Sequence, residues 1–179
     1  MIKGEVILLN GVSSSGKSTI ATMLSERLPN YFVLGFDDLG DLISKMRNYK
    51  KDPSTWSIIN NQNYDLHFIT FILHRLTKVI SEYSFNIIID TVLDAESDAE
   101  DFLEQFKDED VLYVGVHCPL EELERRERVR GDRNIGIAKE QLEIVHKHMK
   151  YDVEINTYEN STEECVSKIL AALSVKPIV

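Results

Sequence analysis

Five short aliphatic or β-branched runs punctuate the chain, each followed by a stretch in which apolar positions recur every three or four residues. The runs are Glu5–Asn10, Tyr31–Phe36, Asn86–Asp90, Val111–Val116 and Val153–Asn156. Most are apolar without alternation, as in strands covered on both faces, and so predict a parallel sheet between two helical layers. The intervening stretches predict helices at Lys17–Leu28, Asp38–Arg47, Asn61–Glu82, Ala95–Phe106, Pro119–Val129, Lys139–Lys150 and Thr162–Leu173. Within the third of these, Leu66, Ile69, Leu73 and Leu76 fall at helical spacing and are expected in the core. The expected class is α/β, with three layers and a five-stranded parallel sheet.

Two stretches break the pattern. Asn48–Asn60 is polar, contains Pro53 and carries the single tryptophan, Trp56; Arg125–Ile137 is dense in charge and holds Gly131 and Gly136. Loops on a parallel sheet form its binding rim. At 179 residues the chain is expected to be one domain, with an acceptor-binding insertion at about 38–82 and a lid at about 125–138.

The loop after the first run changes the picture. Gly11-Val12-Ser13-Ser14-Ser15-Gly16-Lys17-Ser18 matches G-x-x-x-x-G-K-[ST], placed between a strand and a helix as that motif requires. Glycines let successive backbone N–H groups curl around an anion, and the helix N-terminus adds the positive end of its dipole. Gly11, Ser13, Ser14, Ser15, Gly16, Lys17, Ser18 and Thr19 are the expected nucleotide-binding residues. Lys17 would sit on the β- and γ-phosphates of ATP, facing solvent when no nucleotide is bound. The Ser18 hydroxyl would ligand Mg²⁺.

In such a sheet, ligands lie beyond the C-terminal strand ends. Two strands end in acids, at Asp37-Asp38 and at Asp90. Phosphoryl transfer to a hydroxyl needs a group that takes the acceptor proton and acids that hold Mg²⁺. Asp90 is assigned to the metal, Asp37 to the acceptor hydroxyl and Asp38 to helix capping, though spacing alone leaves the first two roles exchangeable. Five arginines fall between Arg125 and Arg133. Pairing at i,i+4 with Glu121 and Glu124 accounts for Arg125 and Arg128. Arg130 and Arg133 flank Gly131 beyond the expected helix and are assigned to a mobile lid that stabilises the transferring phosphoryl group. Trp56 and Tyr64 are candidate walls of an acceptor pocket. The five histidines are dispersed and are assigned to packing or surface roles.

Charge and cysteine usage narrow the classes. Twenty basic against thirty acidic side chains give a net charge of −10, which argues against a nucleic-acid partner but not against a locally basic anion site. Cys118 and Cys165 are too few for a disulfide framework. No apolar run approaches the ~20 residues that span a bilayer. A cytoplasmic protein with no membrane partner is expected.

The matching stretches run in order over nearly the whole chain: Ile7–Ser18, Gly35-Phe36-Asp37, Ile87–Asp90, Val111–Cys118, Arg126-Glu127 with Arg130-Gly131-Asp132-Arg133, Val145-His146 and Tyr151–Thr157. On these residues the sequence resembles the chloramphenicol phosphotransferase-like proteins, among the P-loop small-molecule kinases. The resemblance implies a P-loop NTPase fold with strand order 2-3-1-4-5 and ATP-dependent transfer to a hydroxyl of a small molecule, with chloramphenicol or a related antibiotic as the candidate acceptor. It implies that Asp37 is the base. It also implies that Arg126 lies at the nucleotide and that the loop at Asn156-Thr157 lies by the adenine. A nucleoside, nucleotide or sugar-nucleotide kinase and a regulatory P-loop ATPase remain open on the same motifs.

Overall fold

The protein is described by a computed structural model over residues 3–46, 66–131 and 136–175. Trp56, Tyr64, Arg133 and residues 47–65 of the expected acceptor insertion lie outside these residues.

The described elements are β1 (Val6–Asn10), α1 (Lys17–Arg27), β2 (Tyr31–Gly35), α2 (Phe36–Met46), α3 (Leu66–Glu82), β3 (Asn86–Thr91), α4 (Glu96–Phe106), β4 (Val111–His117), α5 (Leu120–Arg130), α6 (Ile137–Leu142), β5 (Val153–Asn156) and α7 (Thr162–Val175). All strand pairs are parallel and the order is β2-β3-β1-β4-β5. Alternate residues of the central strands feed two cores. Val6, Leu8, Ile87 and Ile89 pack with Ile69 and Leu73 of α3 and Phe102 and Phe106 of α4. Ile7, Leu9, Ile88 and Val114 pack with Ile20 and Leu24 of α1 and Val166 and Ile169 of α7. A third, smaller cluster of Val12, Cys118, Leu123, Ala138 and Val145 ties α5 and α6 to the loop after β1. Among the described residues no helix is long and apolar enough to cross a membrane, and both cysteines are free and buried.

Three local expectations are corrected. Helix α2 starts at Phe36 rather than Asp38. Asp38 reaches back so that its Oδ2 accepts the Gly35 N–H at 2.9 Å, closing the helix N-terminus two residues earlier and placing Asp37 on its first turn. On α3, Ile69 and Leu73 are buried as expected, but Leu76 is 38% exposed while His74 and Thr77 are fully covered. Thr77 returns its hydroxyl to the Leu73 carbonyl and His74 Nδ1 pairs with Asp101 of α4 at 2.7 Å, so polar side chains with a partner for at least one polar atom can occupy the buried face.

The third correction concerns the helix expected at Lys139–Lys150. Regular helix stops at Leu142. The Val145 carbonyl is taken by the Asn10 side chain, whose Nδ2 donates to it at 2.9 Å, and the following turns close with i→i+3 bonds. Asn10 is fully buried. Its Nδ2 also donates to the Tyr151 hydroxyl at 2.8 Å, and its Oδ1 accepts the Leu93 N–H at 2.9 Å. One amide therefore joins the root of the first loop, the segment after β3 and the turn before β5. The Tyr151 ring lies flat against β4, where a β-carbon on Gly115 would come within 2.6 Å of it.

The Tyr151 hydroxyl, having accepted from Asn10, donates to His146 Nδ1 at 2.7 Å. Burial, then the nearby His117 and Lys17, push His146 down to about 4. The unfolded chain protonates this ring near the ordinary value of ~6.5, the folded chain only near 4. The stability it contributes is complete above pH 6.5 and falls as pH drops from 6.5 to 4. Thermal melts across that window are expected to show a shallower decline for His146→Gln than for the parent. Equal slopes would place the acid sensitivity on other groups.

Candidate active site

Glycine is required at both ends of the loop between β1 and α1. A β-carbon on Gly11 would lie 2.4 Å from the Val116 carbonyl oxygen, and Gly16 has φ +96°. Gly16 is the N-cap of α1, no side chain caps that terminus and no acid occupies its first turn. The N–H groups opening α1 thus lack the usual intrahelical acceptors and carry the positive end of the dipole. The Ser14 and Ser15 hydroxyls are buried with no hydrogen-bond partner among the described residues. A surplus of donors around a concave turn is the chemistry of a phosphate site.

Lys17 is buried, not solvent-facing as expected, with 7% exposure. Its Nζ donates to the Val12 carbonyl at 2.9 Å and lies 3.8 Å from Asp90. An ammonium held by a loop carbonyl and a carboxylate is already at the loop rather than needing to be recruited. Asp90 stands on β3 beside β1, in register with Leu9 on one side and Gly35 on the other. Its Oδ2 accepts the Ser18 hydroxyl at 2.6 Å. Two hard oxygen ligands at the mouth of a phosphate loop fit Mg²⁺, which takes few protein ligands and keeps the rest of its shell for water and phosphate.

Across the same opening lies Asp37. Arg130 Nη2 approaches its Oδ2 at 3.9 Å, and both side chains are roughly half exposed. Arg130 is the last residue of α5, not part of a loop beyond the helix as expected. Gly131 stops the helix with φ 66° while its N–H still bonds the Glu127 carbonyl. Of the flanking arginines, Arg128 pairs with Glu124 as expected, at 3.8 Å, but Arg125 takes Glu122 rather than Glu121.

Arg126 serves as a strut. Its Nε donates to Glu122, its Nη1 to the Ser14 carbonyl at 3.3 Å and the Thr157 hydroxyl at 3.1 Å, and its Nη2 to the Thr157 carbonyl at 3.1 Å. Thr157 in turn donates to the Ser15 carbonyl at 2.7 Å. The two residues clamp the back of the phosphate loop to the end of β5, and both also line the cavity. Hydrogen bonds from Arg125 and Arg126 hold Glu122 down to about 2, so its carboxylate stays charged opposite them.

These groups surround one cavity of about 1220 Å³. Strand order sets Ser13, Ser14, Gly16, Lys17, Ser18, Thr19 and Thr157 toward β1 and β5 and Asp37 toward β2 with its neighbour Arg130, Asp90 lying between; Asp38, Thr70 and Asp94 also line it. The structure thus brings together all the described residues singled out from sequence except Gly11 and Ser15, which shape the loop from beneath.

Three residues were missed. Asn10 organises the loop root as described above. Glu127 is 2% exposed, and its carboxylate accepts the Gly136 N–H at 2.9 Å and the Ala138 N–H at 2.8 Å, pinning the start of α6 to α5. Gln141 accepts the Ser13 N–H and donates to Asp94. Asn10 carried a visible signal, a polar residue closing an apolar strand. Gln141 carried none.

Comparison with known proteins agrees with this fold. A curated relative, "Putative O-phosphotransferase Rv2636" of Mycobacterium tuberculosis, is 28% identical over 94% of this chain and 82% of its own. The Mycobacterium tuberculosis APS kinase CysC, solved in complex with AMPPNP and APS, superposes with a TM-score of 0.68 at 17% identity, covering 97% of this chain and 99% of the other. A tunicamycin resistance protein of Deinococcus radiodurans gives the same TM-score at 19% identity, over 97% and 98% of the two chains. Chloramphenicol phosphotransferase-like protein is the family whose pattern matches residues 4–174. With nearly the whole chain matched and a phosphate loop and carboxylates lining one cavity, the protein belongs to the chloramphenicol phosphotransferase-like family and is a P-loop kinase.

Proposed function

We propose that this protein transfers the γ-phosphate of ATP to a hydroxyl of a small molecule, with Asp37 as the base. The observation that carries this reading is the division of the cavity. Donors and Lys17 crowd one end, and Asp37 faces them from the other across the opening where Asp90 meets Ser18.

The phosphate loop and the N-terminus of α1 hold the β- and γ-phosphates, and Lys17 compensates the charge that accumulates on the moving phosphoryl group. Ser18 and Asp90 would hold Mg²⁺, which when bound neutralises charge on the β- and γ-oxygens. Asp37 orients the acceptor hydroxyl toward the γ-phosphorus and takes its proton. Arg130, close enough to steady Asp37, is also placed to reach the transferring group from α5. Arg133, in the same charged stretch, is proposed to assist it. Thr157 and Arg126 support the loop from the adenine side.

The acceptor is proposed to be a neutral or weakly charged molecule, because Asp37 and Asp94 both face its end of the cavity. Chloramphenicol fits that description, as do other hydroxylated antibiotics and sugars. Phosphorylation would then inactivate an antibiotic or prime a metabolite in the cytoplasm, where ATP is abundant. Incubating the protein with ATP, Mg²⁺ and a panel of chloramphenicol, sugars, nucleosides and an oligonucleotide, and scoring product mass, tests this. A product 80 Da heavier from a small uncharged alcohol is the expected result (one added HPO₃, by the stoichiometry of transfer). Phosphorylation confined to nucleotides or the oligonucleotide, or ATP hydrolysis alone, would overturn it.

A further inference from the structure

The hydrogen bonds of Gln141 bridge two residues of the cavity lining. Its Oε1 accepts the backbone N–H of Ser13 at 2.8 Å, and its Nε2 donates to Asp94 Oδ2 at 3.0 Å. Gln141 and Asp94 both line the opening. Ser13 belongs to the phosphate loop. The terminal phosphate must lie between that loop and the acceptor-side carboxylates, and a single side chain spans that interval from Ser13 to Asp94. The Ser13 N–H therefore sits at the γ-phosphate end of the loop.

We propose that Gln141 is a positioning residue that senses the γ-phosphate, yielding the Ser13 N–H to it and relaying the exchange to Asp94 and α6. This rests on the nucleotide reading of the loop and not on the identity of the acceptor. A phosphate oxygen is a stronger acceptor than an amide carbonyl, so a bound triphosphate competes for the Ser13 N–H while a diphosphate leaves Gln141 in place. A carboxamide accepts from the loop N–H through its oxygen and donates to a carboxylate through its nitrogen at once. When its Oε1 is displaced, the Nε2 bond to Asp94 must rotate with it, because the amide is rigid. Asp94 lies within 4.8 Å of the His67–Asp98 pair, in which His67 Nδ1 meets Asp98 Oδ1 at 2.8 Å, so the reorientation is felt by the charged cluster at the start of α3 and α4.

The other end of the relay is the backbone. Gln141 is one turn into α6, whose start at Gly136 and Ala138 is held by the buried Glu127 carboxylate on α5. Arg130, one turn further along α5, faces Asp37. A shift of Gln141 thus acts on a short helix anchored to the element that carries the acceptor-side arginine.

Calorimetric titration of ADP and of AMPPNP, each with Mg²⁺, separates the γ-phosphate contribution without any acceptor. Gln141→Ala removes the competitor for the Ser13 N–H, and the preference for AMPPNP over ADP is expected to rise about threefold. Gln141→Glu puts a carboxylate against both the γ-phosphate and Asp94, and that preference is expected to fall by about tenfold or more. ADP affinity should stay within about twofold of the parent in both variants, which also reports that the loop is folded. Shifts of opposite sign are not produced by a merely structural role. Parallel changes for the two nucleotides, a change of the same sign in both variants, or no change in preference would each overturn the proposal. Because only binding is read, failure to find an acceptor leaves this result interpretable.

Discussion

Replacing Lys17 by Ala is expected to lower turnover by about 10³-fold or more while the protein remains folded. Lys17 brings a full positive charge to the end of the loop where the γ-phosphate develops charge in transfer, and losing one such preorganised donor commonly costs about 10²–10³ in rate. Its loss also strips the Val12 carbonyl of a buried hydrogen bond and Asp90 of a cationic neighbour 3.8 Å away. That should cost on the order of 1 kcal/mol of stability, too little to unfold the domain. Product formation at saturating ATP, together with a thermal melt, checks both halves. Undiminished turnover would remove Lys17 from the transfer step.

The second large effect is expected at Asp37. Asp37→Asn keeps the size of the side chain but cannot accept the hydroxyl proton, and turnover should fall by about 10²–10⁴ with nucleotide affinity nearly unchanged. Asp90→Asn should behave differently. Asp90 contacts Ser18 and Lys17, on the nucleotide side, so its change should weaken the Mg²⁺ dependence and raise the ATP concentration required. Titrating ATP and Mg²⁺ against turnover in the two variants distinguishes the assignments. A metal-dependence defect in Asp37→Asn and a pure turnover defect in Asp90→Asn would exchange the two roles.

The phosphate loop was legible in the chain because its chemistry is contiguous. The glycines, the lysine and the hydroxyl act through adjacent backbone, and Gly11 to Ser18 suffice to specify the turn. The strands were legible for a similar reason. Burial on both faces of a parallel sheet demands uninterrupted apolar runs, so Ile87-Ile88-Ile89 announces itself without knowledge of its partners. The acids at strand ends followed from the rule that such sheets bind ligands at their C-terminal edge, and Asp37 and Asp90 do line the opening.

What escaped were features decided by groups far apart in the chain. The Lys139–Lys150 stretch has helical periodicity, yet regular helix ends at Leu142, and just beyond it Asn10, 135 residues earlier, takes the Val145 carbonyl. Arg130 and Gly131 look like loop from their composition, but the Glu127 carbonyl still binds the Gly131 N–H and keeps the arginine on the helix. Lys17 was expected in water and instead lies under a loop carbonyl.

The sequence by itself determined the layers of the fold, the phosphate-loop turn and the strand-end acids that share its opening. Local spacing and hydrophobic burial act over a few residues, and those are written in order along the chain. Only the tertiary structure decided how the two ends of the cavity are joined. The Ser13 N–H and Gln141 are 128 positions apart, and Gln141 and Asp94 are 47 apart. A hydrogen bond's partner is chosen by where folding delivers it, and nothing in the neighbourhood of a glutamine records that delivery.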